Sequence, residues 1–203
     1  LLLTGLLAGC GSSVGLGLNA SAGSSASSSA TAGMNMSGSS VKGTTAPEVN
    51  GIRPVAYRAL ATSYWQGMKI EAMTTTPTTF IVYNGTTAKG AGVYSTVRAN
   101  RHESFHLMVM LSDQHTGVLI PYASVWATIY DAKGTAVFNE RQWPMISAYM
   151  GSHYGNNVTL PGPGRYTLKL LITPPQVARH LEYANVWKST HEVTASFTWK
   201  PAI

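Results

Sequence analysis

Residues 191–200, HEVTASFTWK, alternate strictly, with Val193, Ala195, Phe197 and Trp199 on one parity and polar residues on most of the other. Successive side chains leave a strand on opposite faces, so this order sorts apolar from polar only in β structure. Comparable runs lie at 68–74 (MKIEAMT), 79–84 (TFIVYN), 103–111 (ESFHLMVML), 118–130, 135–143 and 164–173 (GRYTLKLLIT). Turn signals separate several of them: Asn84-Gly85, Asp131-Ala132-Lys133-Gly134 and Pro161-Gly162-Pro163-Gly164. Glycine in such places permits the positive φ that tight turns demand. The pattern predicts an all-β fold, an antiparallel β-sandwich of about seven or more strands with no established helix. The stretch 56–65, AYRALATSYW, reads as a helical turn or an irregular lead-in.

Ahead of these runs the composition changes twice. Residues 1–10, LLLTGLLAGC, have the pattern of the end of a bacterial lipoprotein signal peptide, with small residues before Cys10. Cys10 would then carry the lipid and anchor the chain outside the cytoplasmic membrane. It is the chain's single cysteine, so no internal disulfide is expected. Residues 11–50 are mainly Ser, Ala, Gly and Thr and cannot offset their ordering entropy by burial, which predicts a flexible tether. It contains Met34 and Met36. Residues 51–203 then form one domain of ordinary size. Fourteen Lys and Arg against eight Asp and Glu give a net charge of +6. The basic residues are scattered, whereas nucleic-acid binders cluster theirs, so no nucleic-acid partner is expected.

Two segments carry unusual chemistry. In ESFHLMVML, Phe105, Leu107, Val109 and Leu111 share one face, and His106, Met108 and Met110 share the other. An imidazole followed by two thioethers suits neither a solvent face nor an ordinary core. Residues 145–155, MISAYMGSHYG, place Met145 and His153 where a folded-back loop would bring them together. Thioether sulfur and imidazole nitrogen together favour copper or iron over magnesium or calcium, and added sulfur favours cuprous copper. His180 follows a Pro174-Pro175 loop at the end of a strand, while His102, His115 and His191 suggest no partners. There are no paired carboxylates, Ser-His-Asp order or glycine-rich phosphate loop to support hydrolytic or nucleotide chemistry.

From Val118 to Trp199 the chain resembles the periplasmic iron-transport protein family. The residues that carry the likeness are Ile120-Pro121-Tyr122, Pro144-Met145, His153-Tyr154-Gly155-Asn156-Asn157-Val158, Gly162-Pro163-Gly164-Arg165-Tyr166, Pro174-Pro175 and Arg179-His180. Gly67-Met68-Lys69-Ile70 and His106-Leu107 fit it more loosely. The resemblance implies an immunoglobulin-like sandwich that pairs as a homodimer beside an iron permease, with a copper site near the dimer interface. It implies His106, Met145 and His153 as ligands, with His180 close by. It also puts a glutamate where this chain has Met108, which softens the expected ligand set; Glu71 and Glu103 are the carboxylates that could substitute.

The expected function is a lipid-anchored extracytoplasmic copper-binding protein engaged in iron or copper uptake. The expected metal residues are His106, Met108, Met145, His153 and His180, with copper as cofactor and iron as a second candidate. The alternatives are a copper-dependent redox enzyme at the cell surface and a structural surface sandwich without metal.

Overall fold

The structure, a computed structural model, describes residues 47–201. Cys10, the expected signal remnant and the expected tether as far as residue 46 lie outside the described residues. Ten strands follow in order: β1 (Arg58–Trp65), β2 (Met68–Thr75), β3 (Phe80–Thr86), β4 (Gly92–Val97), β5 (Phe105–Asp113), β6 (Val125–Tyr130), β7 (Ala136–Ser147), β8 (Gly151–Val158), β9 (Gly164–Ile172) and β10 (His191–Trp199). Eight of them make one antiparallel sheet in the order β1-β2-β5-β8-β7-β6-β9-β10, and β3 with β4 forms a separate hairpin.

The long β7 turns the sheet into two layers. Its first half pairs with β6 through Gln142, and its second half pairs with β8 from Trp143 onward. At the opposite margin Trp65 of β1 stacks on His191 of β10, with ring centroids 4.8 Å apart. The two layers enclose one apolar core. Ile70, Leu107, Val109 and Tyr154 enter it from one side, and Val125, Ile129, Leu168 and Phe197 from the other. This is the expected all-β antiparallel sandwich, closed further than two separate sheets would be.

Several local expectations change. Residues 56–65 contain strand β1, not a helical turn; Leu60 and Trp65 are buried and the strand pairs with β2 around a bulge at Ala59–Ala61. Asn84-Gly85 is not the hairpin turn. Strand β3 runs on to Thr86, Gly85 has φ 115°, and the ladder shifts register there. A glycine inside a strand commonly marks such a bulge. The reversal comes at 87–91, where Thr87 N–H donates to the Ala91 carbonyl and Gly90 has φ 83°. Within 118–130 only Val125–Tyr130 is a strand. Pro121 has no N–H to donate to a ladder, and Tyr122 sits at φ 60°. The Asp131–Gly134 turn forms as expected: Asp131 Oδ1 accepts from the N–H groups of Lys133 and Thr135 at 2.8 and 2.9 Å, and Gly134 has φ 81°.

The largest difference lies at 145–155. It is a β-hairpin, not a loop, with only residues 148–150 between β7 and β8. The β8 sequence GSHYGNNV is poor in strand formers, so local propensity gives no warning. It is held because β5 and β7 supply partners on both edges.

Candidate metal centre

Directly opposed residues in an antiparallel ladder share a face. The registers of β2, β5, β8 and β7 therefore place the candidate residues in rows on the outer face, away from the core. One row is Thr75–His106–Asn157, and the next is Met73–Met108–Gly155–Trp143. In the third, Met110 opposes Glu71 and Met145 opposes His153. The β5–β8 pairing is registered through Val109 and Tyr154, so His153 follows at the level of Met110. His106, Met108, Met145 and His153 thus come together on three strands, β5, β7 and β8, and the expected loop pair Met145 and His153 is a direct cross-strand pair.

Gly155 leaves a side chain's worth of space at the centre of this face, and the His106 ring and the Leu107 carbonyl close in on it. A Cβ built on Gly155 would lie 2.7 Å from His106 Nε2, so the imidazole reaches over the space that a side chain would fill. Met108 and Trp143 flank that hollow across the strands, and His153 lies two residues along β8 on the same face. The Phe80 ring covers His106 from the β3–β4 hairpin, with centroids 5.7 Å apart. Although on the outer face, His106 and His153 are buried, at 3% and 5% relative exposure.

Hydrogen bonds set both imidazole tautomers. Asn157 is oriented by Thr78: its Nδ2–H donates to the Thr78 carbonyl at 2.9 Å, and its Oδ1 accepts the Thr78 N–H at 3.1 Å. The Oδ1 that also meets His106 Nδ1 at 2.8 Å is therefore an acceptor, so Nδ1 carries the proton and Nε2 the lone pair. His153 Nδ1 meets the Gly151 carbonyl at 3.1 Å, and a carbonyl can only accept, so His153 Nε2 is likewise left with its lone pair. Metal-ligating histidines are commonly oriented in this way. Burial holds the His106 pKa below its ordinary value, partly offset by the Asn157 bond; the nearby His153 lowers it further and Glu103 opposes. Burial lowers the His153 pKa too, partly offset by the Gly151 bond. Both rings are thereby kept neutral, the form that binds metal.

The donor set around Gly155 is soft. Among the described residues no three His, Cys, Asp or Glu side chains group as a metal site, and the side-chain donors that the registers place beside the two imidazoles are the thioethers of Met108 and Met145. The candidate carboxylates are otherwise engaged. Glu71 pairs with Lys69 at 2.8 Å, and Glu103 accepts the Asn100 N–H at 3.0 Å. Two neutral imidazoles and flanking sulfurs around a hollow fit a cuprous ion and suit a hard, oxygen-seeking ion poorly.

His180 is not brought to this hollow. It is exposed and precedes a short 3-10 helix, Leu181–Tyr183. Arg179 holds that loop by donating to the carbonyls of Pro175, Val186 and Trp187, and Tyr183 donates to Asp113 at the far end of β5 from His106. Among the described residues no hydrogen bond or ring contact joins His180 to the other four candidates. Met73, Gly155, Asn157, Trp143 and Phe80 were not expected at the site. Met73 had a signal: it is the apolar exception on the Lys69, Glu71, Thr75 face of β2. Gly155 and Asn157 lie in the motif His153-Tyr154-Gly155-Asn156-Asn157-Val158, but their places at the site, like those of Trp143 and Phe80, depend on tertiary structure.

Comparison with known proteins agrees with this architecture. The family described as "Fe2+ transport protein" matches residues 100–201, about half of the chain. UPF0423 proteins of Brucella abortus and Brucella suis are 50% identical over 40 residues, 20% of this chain and 21% of each relative. The chain thus matches only about a fifth of the length of these curated relatives. Among solved structures, FetP of uropathogenic E. coli superimposes with a TM-score of 0.56 at 20% identity, covering 72% of this chain and 98% of that one. Copper-reconstituted P19 of Campylobacter jejuni gives a TM-score of 0.52 at 18% identity, covering 72% of this chain and 99% of P19. At those identities the likeness establishes a common fold. With half its length matched by the family, and with the same sandwich, the chain belongs to the Fe2+ transport protein family.

Proposed function

We propose that this chain is an extracytoplasmic copper-binding protein that serves iron or copper uptake and is tied to the membrane by a lipid on Cys10. The copper is cuprous and sits over Gly155, with His106, His153, Met108 and Met145 as donors. The observation that carries this reading is His106 Nε2, left with its lone pair by Asn157 and overhanging Gly155, the one position in the neighbouring row that has no side chain. FetP and P19 have copper-bound solved forms, which supports copper as the ion. Membership in an Fe2+ transport family supports an iron permease as the membrane partner and leaves iron as a second cargo. His180, exposed and apart from the hollow, is read as a residue that approaches the site of a second copy in a homodimer.

The chain's own contribution is to bind and orient. The sheet holds the donors, buried Asn157 and the Gly151 carbonyl set the rings, and Phe80 restricts water on one side. Anaerobic competition with a cuprous chelator tests the site. His153→Ala and Met145→Ala are each expected to weaken binding at least tenfold with unchanged far-ultraviolet circular dichroism. Wild-type affinity in both variants would remove the hollow as the binding site.

A further inference from the structure

A second group of soft donors lies on the same outer face, on the β2 side of the hollow. Met73 and Met108 are directly opposed across β2 and β5, and Met110 follows Met108 by two residues on the same face. Met73 and Met108 are each only 4% exposed, yet neither belongs to the hydrophobic core cluster, which occupies the other face of these strands. Packing alone does not require sulfur at these positions, since leucine would fill them. Opposed Cβ atoms lie ~5 Å apart, and residues two apart on a strand lie roughly 7 Å apart. Methionine has three rotatable bonds, so three sulfurs at these spacings can turn onto one ion. The adjacent carboxylate of Glu71, which opposes Met110, is engaged by Lys69 through Oε1 at 2.8 Å.

We propose that Met73, Met108 and Met110 form a thioether site for a soft monovalent cation, cuprous copper, beside the two-histidine position. It deepens the function proposed above, on which it rests, by giving the chain room for a second ion. When Met108 turns toward Met73, Met145 completes the two-histidine position. An all-sulfur triad selects the cuprous state more strictly than the histidine position does, because cupric and ferrous ions prefer nitrogen and oxygen.

The test is cuprous stoichiometry on the full chain, measured anaerobically against a cuprous chelator. Met34→Leu and Met36→Leu are present throughout, so that the thioethers of residues 34 and 36 do not contribute. The expected result is two equivalents for this background and one for Met73→Leu/Met110→Leu, a near volume-conserving change. His106→Ala/His153→Ala should also keep one equivalent, with only sulfur in the first shell by X-ray absorption. A background whose one equivalent is lost in His106→Ala/His153→Ala, or a Met73→Leu/Met110→Leu variant that keeps two, overturns the triad while leaving the histidine position intact; one equivalent that survives His106→Ala/His153→Ala overturns the histidine position instead. Binding of none overturns both. Two equivalents that both survive His106→Ala/His153→Ala overturn the histidine position as well.

Discussion

Met108 shows how one residue sets the chemistry of a face. The family resemblance puts a glutamate there, and this chain puts a thioether opposite Met73 and beside Gly155. Restoring the carboxylate adds a hard, charged oxygen to a buried position and should favour harder ions. Met108→Glu is therefore expected to bind cuprous copper at least tenfold more weakly in chelator competition; equal or tighter binding would contradict the soft-site reading. Protonation gives a second prediction. The folded pKa values of His106 and His153 are both lowered, chiefly by burial. As pH falls, the unfolded chain takes up protons first, so the metal-free protein is most stable above the ordinary imidazole pKa of about 6.5 and loses stability as pH falls from there toward the folded values. His191, half-buried and stacked on Trp65, is shifted the same way. Thermal melts from pH 7.5 down to 5.5 should show Tm falling, with a shallower fall in His153→Gln; a pH-independent Tm would refute this.

At the scale of elements, the site depends on three registers meeting and on one hairpin being tied down. Asn157 links strand β8 to Thr78 just before β3, and to His106. Asn157→Leu would leave the Thr78 backbone groups and His106 Nδ1 without partners, and a buried group that loses its partner costs ~1–3 kcal/mol. The expected result in urea denaturation is a loss in that range, together with weaker copper binding because the His106 tautomer is no longer set. Unchanged stability and affinity would show that Asn157 does not orient the ring. The face of β5 was readable from its sequence, because alternation alone separates His106, Met108 and Met110 from Leu107, Val109 and Leu111. The β7–β8 hairpin was not, because Gly151, Ser152, Gly155, Asn156 and Asn157 are poor strand formers. Met145 and His153 drew notice through their chemistry, whereas what sets them opposite one another is the β7–β8 ladder.

At the scale of the molecule, one sheet nearly closed on itself gives a rigid outer face on which donors from β5, β7 and β8 keep fixed spacing. A ligand that binds the native state alone stabilises it, by about 2.7 kcal/mol at a hundredfold excess over Kd. Cuprous copper should therefore raise the Tm of the wild type, and raise it less in His106→Ala/His153→Ala; an equal rise in both would place binding elsewhere. Among the described residues no helix is long and apolar enough to cross a membrane. If paired copies complete the site through His180, sedimentation should find a dimer, and His180→Ala should weaken binding only under conditions where the dimer persists. By itself the sequence determined the β class, the faces of the strands whose residues alternate, β5 among them, and the softness of the donors. These follow from alternation and side-chain chemistry, which are local. Only the tertiary structure decided that Gly155 leaves the hollow under His106, that Asn157 and the Gly151 carbonyl select the ring tautomers, and that Met73 stands opposite Met108. Those depend on which strands become neighbours and in what register, and long-range burial settles that for the chain as a whole.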